Sequence, residues 1–121
     1  MSNNGDEFSE LYNIALTFFK EMEFEIEEKV TLVGTSGKKH LFDMVVKTNC
    51  DIEVSEILVK IVDWKRAVGV DRLIRFERML NDLSNRKGMI VSNVFSESAI
   101  KFAKRRGLII YERDHLHVLR E

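Results

Sequence analysis

Apolar residues recur at three- and four-residue spacing near the start of the chain, at Phe8, Leu11, Ala15, Phe18, Phe19 and Met22. That spacing predicts an amphipathic helix with one stripe facing a core. Glu10, Lys20 and Glu21 fall on its polar face, and Asp6 and Glu7 suit the positive end of the helix dipole. From Glu25 to Val33 the pattern shortens to alternation, with Ile26, Val30 and Leu32 among charged residues, which predicts a strand. Gly34-Thr35-Ser36-Gly37 ends it as a hairpin loop. Its glycines and hydroxyls could approach a phosphate, but the Walker spacing is absent. Leu41 to Val46 is the next strand, Thr48 to Glu53 a polar turn, and Ile57 to Lys65 a third strand.

Beyond Ala67-Val68-Gly69, the stripe Val70, Leu73, Phe76, Leu80 and Leu83 predicts a helix from Val70 to Ser84. Lys87 to Ser92 reads as a buried strand. Ser96 is placed to cap a helix through Arg106, with Gly107 as its stop, and Leu108 to Tyr111 is a short last strand. The order α, three strands, α, β, α, β specifies an α/β fold with a mixed central sheet flanked by helices, its later strands joined by a helical crossover.

Length changes this picture little. A chain of 121 residues fits a single domain over 1–121, with residues 1–6 flexible and 112–121 a C-terminal tail. The lone Cys50 has no internal partner, no apolar run reaches the ~18 residues of a membrane span, and the acidic start lacks a signal-peptide pattern. The expectation is a soluble cytoplasmic protein.

Charge changes it more. Residues 1–30 hold eight acids and two bases and sum to −6; with a whole-chain net charge of −1, residues 31–121 carry +5. Lys38, Lys39, His40, Arg66 and Arg72 belong to basic clusters of the kind that neutralise phosphates. Two acids also stand where strands dislike them. Asp43 interrupts Leu41 to Val46, and Asp63 ends the apolar run with Lys65 two positions on, on the same side if the strand continues. One reading of Asp63 and Lys65 is a structural ion pair. The other is a metal-dependent site in which Asp43 and Asp63 hold Mg²⁺ and Lys65 orients water or stabilises phosphate charge. Trp64, on the opposite side, is expected to pack rather than stack on bases. His115 and His117 are expected in the tail, no His/Cys spacing suggests zinc, and no Ser or Cys has an evident base beside it.

The stretches Gly34 to Asp43, Ile57 to Lys65 with Val68-Gly69-Val70-Asp71, Lys87 to Asn93 and Ser98 to Gly107 together resemble the PD-(D/E)xK nuclease superfamily. Within it the chain is most similar to Mrr-type restriction endonucleases and archaeal Holliday-junction resolvases. The resemblance implies a restriction-endonuclease-like αβββαβ core and a Mg²⁺-dependent phosphodiesterase acting on DNA, with Mn²⁺ as a substitute. It also implies Asp43 and Asp63 as metal ligands, the Trp64 backbone carbonyl completing the metal shell, and Lys65 as the catalytic lysine. Phe42 stands where the superfamily has proline. The acid that relatives place on the first helix finds its nearest counterpart in Glu10, whereas counting back from Phe24 lands on Tyr12. The alternative is a non-catalytic module on the same scaffold that binds nucleic acid or a partner protein. A nuclease of this size often cuts both strands as a homodimer, through the Val70 to Ser84 helix or the tail.

Overall fold

The computed structural model describes residues 9–49 and 54–120. Expectations for residues 1–8 and for Cys50 to Glu53 lie outside the described residues. Nine elements follow in order: α1 Glu10–Glu21, β1 Glu25–Val33, β2 Lys39–Asn49, β3 Val54–Val62, α2 Val70–Asp82, β4 Gly88–Ser92, α3 Glu97–Arg106, β5 Ile109–Glu112 and α4 Arg113–Arg120. The five strands form one sheet in chain order, with β1, β2 and β3 antiparallel and β3, β4 and β5 parallel. Both parallel steps pass through a helix, α2 and then α3, as parallel neighbours require.

The sheet is covered on both faces. On one, Leu11, Tyr12, Ala15, Phe18 and Phe19 of α1 and Leu116 of α4 pack on Met44, Val46, Val59, Met89 and Val91. On the other, Leu73, Phe76 and Leu80 of α2 and Ala99 and Ala103 of α3 pack on Phe42, Val45, Leu58, Val62 and Ile90. Burial on both sides explains why β4 runs Gly-Met-Ile-Val without alternation before Ser92; all five of its residues are buried. Local signals set several boundaries. The Ser9 and Ser96 hydroxyls accept from the amides of Tyr12 and Ala99, and Gly107 closes α3 in the left-handed region at φ 72°.

The structure departs from the sequence pattern at three places. The third strand ends at Val62, so Asp63 and Lys65 lie beyond it and strand alternation does not set their directions. The segment expected as a tail forms α4 after Glu112, with Leu116 fully buried; the His117 side chain lies outside the described residues. Met22 is half exposed, and the inner stripe of α1 instead includes Tyr12, 2% exposed.

A further feature escapes the alternation pattern. Ile26 packs on the α1 side, but Val30 and Leu32, at the same parity, pack on the α2 side. In β2, Met44 and Val46 face α1, while Phe42 faces α2. Both strands reverse facing at Lys29 and Asp43. These two lie opposite each other between the pairs Glu28–Met44 and Val30–Phe42, with no inserted residue. Lys29 makes the turn with a left-handed backbone, φ 55°, unusual for a residue with a side chain of this size.

Candidate active site

Where β2 and β3 part, their ladder ends at Met44–Val59. Beyond it a side chain takes over: Asp43 Oδ2 accepts from the Ile61 amide at 2.7 Å. Asp43 Oδ1 lies 3.5 Å from Lys29 Nζ. The strand-breaking acid is therefore paired on one oxygen and bonded on the other, as its partial burial requires.

Asp63, immediately after β3, is held from α1 and from the loop after β4. Its Oδ2 accepts from the Leu11 amide in the first turn of α1 at 3.2 Å, and its Oδ1 from Asn93 Nδ2 at 2.7 Å. The same amide nitrogen donates at 2.7 Å to the Trp64 carbonyl. Burial alone would raise the Asp63 carboxyl. The bonds from Asn93, the Leu11 amide and Ser9, with the charge of Arg113, outweigh it and hold the group below its ordinary value. Asp63 thus stays ionised at neutral pH, against the positive end of α1.

Asp43, Asp63, Trp64 and Lys65 line one cleft of about 450 Å³, together with Ser9, Tyr12 and Arg72. Lys65 does not pair with Asp63. Among the described residues its ammonium has no ion pair or hydrogen bond, so the structural-pair reading of Asp63 and Lys65 is not what the geometry shows. Glu10 does not join this group; its carboxylate, 72% exposed, pairs with Arg113 at 2.8 Å. Among the described residues no three His, Cys, Asp or Glu side chains gather where they could hold a metal ion. The donors at hand are two carboxylates and a backbone carbonyl, whose second lone pair is independent of Asn93. All are hard oxygen ligands, and the set fits a Mg²⁺ ion that keeps part of its water shell.

The basic residues divide between two ends of α2. Arg66 and Arg72 flank the Trp64 ring, with guanidinium carbons 4.4 and 5.3 Å from its centroid. Trp64 itself is partly buried against the α2-side core. Lys38, Lys39 and His40 sit at the β1–β2 hairpin, which is fastened to the other end of the helix. Asp82 accepts there from the Thr35 hydroxyl, the Ser36 amide and the Ser36 hydroxyl, and its Oδ2 lies 2.7 Å from His40 Nε2. Ten residues of helix separate Arg72 from Asp82, about 15 Å along the axis. The loop hydroxyls are thus spent on Asp82, and His40, with 12% of its side chain exposed, is turned to that carboxylate. Gly34 has no room for a side chain: a Cβ there would lie 2.0 Å from Asp82 Oδ2.

His40, then Ser36, hold the Asp82 carboxyl far below its ordinary value of 3.8. A depressed carboxyl contributes stability that is complete above the unfolded-state value and is lost as pH falls toward the folded-state one. The difference in melting temperature between the wild type and Asp82→Ala is therefore expected to narrow as pH falls from ~5 to ~2. A difference constant over that range contradicts the assignment.

Sequence reasoning missed Lys29, Asn93 and Lys60. Lys60 Nζ donates to the Leu41 carbonyl at 2.9 Å; burial lowers its pKa, as do Arg72 and Lys29, against the pull of Asp43. Asn93 had a signal, since Ser92 and Asn93 end an otherwise apolar run beside the site strand.

A sequence profile described as restriction endonuclease, of the Mrr catalytic-domain type, matches residues 3–119. No curated protein matches the chain. Among solved structures, a protein of unknown function superposes with a TM-score of 0.72 at 16% identity, covering 88% of this chain. A repair endonuclease from Pyrococcus abyssi gives 0.59 at 15% identity over 93% of the chain. The MspJI restriction endonuclease in complex with a 27-mer oligonucleotide gives 0.56 at 15% over 94%. The chain spans 64%, 47% and 27% of these proteins, less than two thirds of each. At such identities the likeness shows a shared restriction-endonuclease-like fold.

Proposed function

The chain belongs to the restriction endonuclease family, Mrr type, and from that premise we propose that it is a Mg²⁺-dependent endonuclease hydrolysing DNA phosphodiester bonds at the Asp43–Asp63–Lys65 cleft. One observation carries the reading: two ionisable carboxylates twenty positions apart in sequence, and a lysine with no ion pair among the described residues, line the same cleft. Asp43, Asp63 and the Trp64 carbonyl are the atoms that would hold the ion. A divalent cation bound there supplies charge to polarise a phosphodiester and acidify an attacking water. Lys65 faces the cleft to orient that water or to stabilise negative charge on the phosphate. Arg72, which lines the cleft, and Arg66 beside it can neutralise phosphates of the duplex approaching Trp64. Among the described residues no helix is long and apolar enough to cross a membrane.

The test is cleavage of plasmid, linear and branched DNA with and without Mg²⁺. Metal-dependent nicking or cutting of any of these supports the reading. Salt-sensitive DNA binding without cleavage favours the non-catalytic module, a reading supported by the lack of a third clustered carboxylate among the described residues.

Asn93 enters this proposal as a positioning residue, since one amide holds both Asp63 and the Trp64 carbonyl. Asn93→Ala is expected to lower kcat roughly 10- to 100-fold, the usual cost of losing a group that orients metal ligands. The chain should melt near the wild-type temperature. A variant with wild-type kcat at every Mg²⁺ concentration contradicts the role.

A further inference from the structure

Resting on the assignment of Asp43 as a metal ligand, we propose that Lys29 is the site's resident counter-ion, occupying the Asp43 oxygen that a divalent cation needs and competing with that cation for it. Of the two Asp43 oxygens, Oδ2 already accepts from the Ile61 amide at 2.7 Å, which leaves Oδ1 the more open to a cation, and the Lys29 ammonium stands 3.5 Å from that oxygen. The placement is built rather than incidental. β1 alternates charged residues with Ile26, Val30 and Leu32, and on its exposed side a lysine could lie in solvent at no cost. Lys29 instead adopts φ 55°, a conformation unfavourable to a residue with a Cβ, and so shares the α1 face with its neighbour Glu28. There its ammonium lies 4.6 Å from the centre of the Tyr12 ring, which is itself buried. The pair is partly withdrawn from water, with 34% and 20% of the two side chains exposed.

Such a pair solves a problem that a metal-binding acid creates. Without a cation, Asp43 would be left as a half-buried charge beside an apolar core, and the ammonium neutralises it. When a divalent cation arrives, the flexible four-carbon stem lets the ammonium withdraw to solvent. Because both cations claim one oxygen, Lys29 sets the metal concentration at which the site fills.

Mn²⁺ titration of the full chain, followed by the electron paramagnetic resonance of the free ion, reads this without any DNA or cleavage. Lys29→Met is expected to bind Mn²⁺ roughly three- to tenfold more tightly than the wild type, and Lys29→Arg close to it, because removing a nearby cation relieves competition while keeping one does not. Lys29→Gln, which retains a polar stem, should match Lys29→Met and stands in if that variant folds poorly. Unchanged or weaker binding in both neutral variants, with binding lost in Asp43→Asn, overturns the role of Lys29 and leaves the metal site standing. Binding undiminished in Asp43→Asn overturns the assignment of Asp43 itself and this inference with it.

Discussion

Asp43→Asn is expected to lower Mg²⁺-dependent DNA cleavage by about 10³-fold or more, the scale of losing several kcal/mol of metal-derived transition-state stabilisation. The amide is a sharper probe than alanine. Its oxygen can still accept from the Ile61 amide, so the contact that replaces the β2–β3 ladder survives. What the substitution removes is the charge facing Lys29. Asp43→Ala would also leave a partly buried amide without an acceptor, at about 1–3 kcal/mol, and would confuse loss of chemistry with loss of stability. Cleavage should therefore collapse in Asp43→Asn while thermal melting stays close to the wild type. Equal losses of both would assign Asp43 to structure.

Phe42→Ala is expected to cost about 3–5 kcal/mol of folding stability, read as a shift in the denaturant midpoint. Phe42 is fully buried and meets Phe76 of α2 edge-on, ring centroids 6.4 Å apart. It stands where the resemblance expects proline, immediately before Asp43, and where β2 reverses its facing. Its ring fixes β2 against α2 one residue from the candidate ligand. Loss of the ring should loosen Asp43 as well, so cleavage by the folded fraction should fall too. A cost under ~1 kcal/mol would mean the ring does not anchor this segment.

Much of the frame was legible because local chemistry and tertiary structure agree. The alternating Glu25–Val33 strand, the Leu73, Phe76 and Leu80 stripe, the Ser96 cap and the Gly107 stop each rest on residues close in sequence. The convergence of Asp43, Asp63 and Lys65 on one cleft was expected from an acid placed in each of two neighbouring strands. Their immediate surroundings were not. Ile26, Val30 and Leu32 share one parity and read as one face, yet the sheet is covered on both sides, so apolar residues fit either face and the reversal at Lys29 leaves no trace in the pattern. Lys29 itself looks like any charged strand residue. Asn93 and Asp63, thirty residues apart, meet only because β4 lies parallel to β3. His40 suggested phosphate contact because its partner, Asp82, is forty-two positions away. The C-terminal helix was hidden by its brevity, eight residues with strongly polar flanks, stabilised by seating Leu116 in the α1-side core rather than by propensity.

We propose that this cleft cuts DNA and that Lys65 takes part in the chemistry rather than in folding or substrate capture. The most direct test is plasmid cleavage in Mg²⁺ by the wild type and Lys65→Ala, with DNA binding of both measured in Ca²⁺. Wild-type cleavage, a loss of roughly 10²-fold or more in Lys65→Ala and DNA affinity within a few-fold is the predicted result. Cleavage by Lys65→Ala at the wild-type rate would contradict it.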